Sequence, residues 1–180
     1  DAARDYGHAL ALAGAGDHAA AVEILARLSK NDPDRIAYPL ALAETYQSAG
    51  NHDRALVQYR NMLELYPANP VLVEGYANSL LYGKRFAEAY EVLEDTRRRQ
   101  SRPSPDLYQM LAKAATGMGR QAEAHEAMAE YYHLNGQTHS AIEQLTLASR
   151  LPNQDFYQSS RIEARLQQLK ALALEEAPQR

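Results

Sequence analysis

Cysteine is absent from the 180-residue chain. That excludes disulfides, thiolate metal sites and a cysteine nucleophile. It leaves the compartment open, because secreted chains can also lack cysteine. Tryptophan is absent too, and there are only two phenylalanines. Lysine is scarce, with four against fifteen arginines, and the net charge is −4. A mildly acidic chain lacks the basic stripe that a nucleic-acid binder needs. Nine glycines and eight prolines are too few for a collagen or a disordered linker. No apolar run approaches the roughly 18 residues that would cross a membrane. The chain opens on Asp1, and no signal-peptide pattern follows. It reads as a fragment of a longer protein, and a signal peptide could have gone with the missing part.

What is abundant is alanine, at 32 positions, and its placement is periodic. Gly16 leads to Ala21, Gly50 to Ala55, Gly119 to Ala124 and Gly136 to Ala141, five residues on each time. Ala89 belongs to the series, but its glycine has slipped to Gly83 and Lys84 holds the expected place. The alanine steps are 34, 34, 35 and then 17. Twelve residues before each stands another alanine: Ala9, Ala43, Ala77, Ala112 and Ala129. Two helices joined by a short turn cross closely only where the crossing residues are small. Leu12, Tyr46 and Leu80, facing Leu25, Tyr59 and Leu93, fill the rest of the seam. Pro33 and Pro67 close the first two units.

A helix-turn-helix unit of this period resembles the tetratricopeptide repeat, TPR. The resemblance covers residues 2–151 and predicts an all-α superhelical solenoid. One domain over 1–180 would hold repeats at 2–35, 36–69, 70–103 and 105–136, with a fifth overlapping from 122 to 155. The half-period step implies that a helix near 120–134 closes one repeat and opens the next. Phe156, Ile162, Leu166, Leu169 and Leu172 predict a capping helix over about 155–175.

Local chemistry predicts the boundaries. Asn69-Pro70 and Ser104-Pro105 read as N-caps followed by proline at the first helical position. Asp17 and Asn51 can cap second helices. Pro39 must fall in a first turn. The run from Arg97 to Pro103 reads as a loose connection, its arginines suiting a helix C-terminus.

Catalytic constellations are missing. His125-Glu126 begins a zinc-hydrolase string, but Ala129 stands where the second histidine is required. Glu130 and His133 share a helix face and read as solvated. His18, His52 and His139 fall at turns, where exposure is expected. Gly117-Met118-Gly119 is followed by no Lys-Ser/Thr, and there is no Gly-x-Ser-x-Gly. Glu91, Glu94 and Asp95 read as an exposed stripe. No catalytic residue, metal site or cofactor is therefore expected in this chain.

Recognition is the better reading. Tyr46, Tyr59 and Tyr76 sit at core positions, but twelve tyrosines also supply amphipathic surface. In the TPR superhelix the first helix of each pair lines the concave face. Counting along those helices puts Glu44, Gln47, Glu74, Asn78, Tyr82, Gln109 and Lys113 toward a partner-binding groove. Such a groove can grip an extended segment or a helix. Only Asn78 matches the Lys/Asn/Arg set with which TPR co-chaperones clamp a C-terminal carboxylate.

The segments Glu130-Tyr131-Tyr132-His133-Leu134-Asn135-Gly136, Ala141-Ile142-Glu143-Gln144-Leu145 and Asp155–Leu166, which ends in Arg-Ile-Glu-Ala-Arg-Leu, resemble a narrower group. They look like the C-terminal TPR region of periplasmic zinc metallopeptidases of the beta-barrel assembly-enhancing protease type. In that family a His-Glu-x-x-His peptidase domain precedes the repeats. The complete motif is absent here, so zinc is implied only for a domain outside this chain. The resemblance implies a periplasmic, noncatalytic module. It would bind its own peptidase domain and the outer-membrane barrel assembly machinery, and present misassembled barrel proteins. The alternative is an independent TPR adaptor or scaffold in envelope assembly or secretion.

Overall fold

The computed structural model describes residues 1–152 and 154–176. Among these, ten helices form and no strand. They are α1 (Ala2–Gly14), α2 (His18–Asn31), α3 (Ala37–Ser48), α4 (His52–Leu65), α5 (Pro70–Tyr82), α6 (Phe86–Arg99), α7 (Pro105–Gly117), α8 (Gln121–Leu134), α9 (Thr138–Ser149) and α10 (Phe156–Glu176). They pack into two compact units, Asp1–Arg85 and Phe86–Arg180. The first holds α1–α5 and the second α6–α10.

All ten alanines of the repeat are at most 5% exposed, and all but Ala112 and Ala124 are wholly buried. In the first unit Ala9 packs with Leu25, Ala41 and Leu42, and Ala43 with Ala55, Tyr59, Met62 and Leu72. In the second, Ala129 and Ala141 share a core with Leu145, Ala148, Ile162, Leu166 and Leu169. Each fully buried leucine of these clusters contributes about 1.5–3 kcal/mol. α8 packs against both α7 and α9, and α10 covers α9. The residues expected on the covering face of α10 behave that way from Ile162 on. Phe156 does not: it is 79% exposed, its ring edge-on to that of Tyr157 with centroids 6.0 Å apart. It stands at the first residue of α10, outside the buried stripe.

The interhelical turns explain the glycine series. Gly16, Gly50, Gly119 and Gly136 have φ of +73° to +87°, where a side chain is strained. Lys84 takes the same role at φ +58° and is the non-glycine exception. Asp17, Asn69 and Ser104 accept capping hydrogen bonds from Ala20, Leu72 and Leu107 main-chain N–H groups. Asn51 precedes α4 but makes no side-chain cap. Its turn is closed instead by main-chain bonds, Gly50 N–H to Gln47 and Asn51 N–H to Tyr46. Pro39 lies in the first turn of α3, where its missing N–H costs nothing.

Of the three histidines at turns, His139 is exposed as expected, but two are less so. His18 and His52 begin α2 and α4 and are half-buried, each with an Nδ1 that lacks a partner among the described residues. His52 is covered by Tyr82, stacked at 5.8 Å with 17° between the planes.

Two substitutions test this fold. Lys84→Gly should raise stability by about 1 kcal/mol, the strain of a left-handed L-residue; urea unfolding would show it as a higher midpoint. Ala43→Leu should lower stability by about 1–3 kcal/mol through overpacking. An unchanged midpoint would mean that the crossing is not tight.

Candidate functional site

The second unit contains a cavity of about 600 Å³. Three stripes of helical periodicity wall it. α6 contributes Tyr90, Glu94 and Arg97; α8 contributes Glu123, Glu126, Ala127 and Glu130; α10 contributes Arg161, Ala164, Arg165 and Gln168. Leu111 of α7 and Leu145 of α9, both 2% exposed, close it from beneath.

Ion pairs fix the walls. Arg161 forks onto Glu126 at 2.7 and 2.9 Å, and Arg165 onto Glu130 at 2.7 Å twice. Both pairs have partners 35 residues apart. Within α6, Arg97 forks onto Glu94 at 3.0 and 2.9 Å. Bidentate guanidinium–carboxylate pairs set orientation as well as attraction. Glu94 is therefore not part of a free acidic stripe; its carboxylate also meets Arg98 at 3.7 Å, while Arg99 pairs with Asp95. The hydrogen bond from Arg97 to Glu94 raises the pKa of Arg97, and that from Arg161 to Glu126 raises the pKa of Arg161. Burial raises the Tyr90 and Tyr108 hydroxyls above their usual range, reinforced by Glu94 and Glu123 at Tyr90 and by Glu130 at Tyr108. These phenols stay protonated and serve as hydrogen-bonding, aromatic walls.

Three of the cavity's carboxylates are bound to arginines, and none stands beside a nucleophile. His125, from the incomplete zinc string, bonds Gln144 Oε1 through Nδ1 at 2.8 Å. Glu130, one turn before His133, is held by Arg165. Among the described residues no three His, Asp or Glu side chains converge as metal ligands. Among the same residues no helix is long and apolar enough to cross a membrane.

The seven residues expected on a concave face fall into two groups. In the first unit, Glu44 and Gln47 lie on α3, and Glu74, Asn78 and Tyr82 on α5. Glu44 and Glu74 both act on the Tyr59 hydroxyl. The ring of Tyr59 lies where a Cβ on Gly75 would be, 2.4 Å away, so only glycine lets it pass under α5. Partial burial raises the Glu44 carboxyl. Tyr82 is 64% exposed over His52. In the second unit, Gln109 and Lys113 lie on α7 but do not line the cavity; their helix contributes Tyr108 and Leu111 instead. Counting along first helices does not reach the charged walls of α6, α8 and α10. The 17-residue step is the signal that could have led there, since it gives α8 a second role.

Known proteins share this architecture. The family model for the tetratricopeptide repeat matches residues 6–141. The chain belongs to the tetratricopeptide-repeat family, with the all-α solenoid fold of that class. A MamA structure from Desulfovibrio magneticus RS-1 is 16% identical, with a TM-score of 0.68, over 98% of this chain and 97% of that one. A thermophilic TPR protein from Thermus thermophilus, TTC0263, is 18% identical, with a TM-score of 0.55, over 93% and 100%. At these identities the likeness is one of fold. No curated protein matches the chain. TPR domains bind protein partners and are typically noncatalytic, so the class is that of a protein-interaction module.

Tyr59 gives a pH test. Burial first, then Glu44 and Glu74, push its hydroxyl up from 10.0 to about 12. A raised folded-state value means that this contribution is intact below about pH 10 and is lost as pH rises toward about 12. Tyr59→Phe should flatten the alkaline fall in stability; an identical fall in both proteins would show that Tyr59 ionises freely.

Proposed function

We propose that the chain is a noncatalytic recognition module that holds a partner's polypeptide segment in the cavity between α6, α8 and α10. The observation carrying this is a cavity of about 600 Å³ lined by two tyrosines and by ion pairs that fix its walls before a ligand arrives. Rigid walls lose little freedom on binding, so more of the contact energy becomes affinity.

The signature in residues 130–166 supports a narrower reading. It makes this the recognition module of a periplasmic zinc metallopeptidase, recruiting the enzyme to the outer-membrane barrel assembly machinery or to misassembled barrel proteins. Five residues of that signature, Glu130, Leu145, Arg161, Ala164 and Arg165, also line the cavity. An upstream coding sequence without a His-Glu-x-x-His domain would move the assignment to an independent envelope adaptor.

Binding to two immobilised proteins, the isolated peptidase domain and the barrel assembly machinery, tests the proposal. Ala164→Trp fills the cavity from an exposed helix position and should reduce binding at least tenfold, about 1.4 kcal/mol. Asn78→Ala and Lys113→Ala should leave it within about twofold. The reverse pattern would place the docking surface on the α3, α5 and α7 residues instead.

A further inference from the structure

The ladder between α8 and α10 lacks a rung. Glu126 meets Arg161 and Glu130 meets Arg165, each 35 positions on. The same offset from Glu123 leads to Gln158. Gln158 is not a cation, and its Nε2 donates to Glu126 at 3.2 Å rather than to Glu123. Among the described residues Glu123 makes no hydrogen bond and no ion pair, although it is half-buried in the cavity wall. Arg161 feels its field, but that guanidinium bonds Glu126, through Nε and Nη2. Arg120, one turn earlier, lies over the Tyr90 ring at 5.5 Å and forms no ion pair with Glu123. The cavity therefore has four carboxylates against three guanidinium groups, with the surplus localised on one named residue.

We propose that Glu123 is the specificity-determining residue of the cavity and receives a lysine or arginine side chain of the bound segment. This rests on the cavity being the partner-binding site. The incoming cation completes the third rung beside Glu126–Arg161. Because Arg120 already occupies the Tyr90 face, the cation is read by the carboxylate rather than by the ring. A half-buried carboxylate already partly removed from water loses little further hydration when it is paired, which favours ligands that bring the missing charge.

A random-peptide phage library panned against the full chain supplies the probes. Fluorescence anisotropy then compares each recovered peptide with a twin carrying norleucine for its basic residue. The expected result is enrichment of Lys or Arg at one position and a loss of about tenfold in the twin. Glu123→Gln should abolish that discrimination. Gln158→Arg, which supplies the rung internally from a partly exposed helix position, should do the same; circular dichroism would check that both variants are folded. Peptides that lack a basic residue, yet are displaced by Ala164→Trp, would overturn the inference and leave the cavity reading intact. Peptides indifferent to Ala164→Trp would overturn both.

Discussion

Close crossing of helices on alanine is the constraint from which the rest follows. A methyl group at each crossing lets two backbones approach, and larger residues on either side then interlock. In most of this chain each helix carries one such alanine. α8 carries two, Ala124 and Ala129, five residues apart and so about 140° around the helix. One helix can then close against α7 on one side and α9 on the other. That is the structural content of the 17-residue step.

The consequence is functional. A helix that ends one repeat and begins the next presents to the cavity a face that an ordinary second helix would leave to solvent. Glu123, Glu126 and Glu130 occupy that face, and two arginines of α10 come to meet Glu126 and Glu130. Partly exposed ion pairs of this kind add little net stability, roughly 0–1 kcal/mol each. Their contribution is orientation. The burial of Ile162, Leu166 and Leu169 holds α10 in place, and the forks set the spacing of the cavity walls.

Much of the fold is legible in the sequence because its signals are local. The alanine pairs, the left-handed glycines, the displaced Gly83 with Lys84 in its stead, and the Asn69 and Ser104 caps all act within a few residues of themselves. The site is less so. Counting along first helices leads to Gln109 and Lys113, whereas the cavity in that unit belongs to the other face of the local pattern. Pairs such as Glu130–Arg165 join residues 35 apart, and no local spacing reveals them. Glu94 reads as one member of an acidic stripe until α6 places Arg97 across it. His18 and His52 read as exposed because turns usually are, yet the helices that follow draw their rings inward.

Native-state amide hydrogen exchange tests the central claim directly, because an edge helix and a two-sided helix differ in protection. With α8 packed by both Ala124 and Ala129, its amides should be the slowest to exchange in the second unit, slower than those of α10, which packs mainly on α9. Exchange in α8 as fast as in α10 would contradict the shared-helix account, and with it the assignment of the cavity that α8 creates.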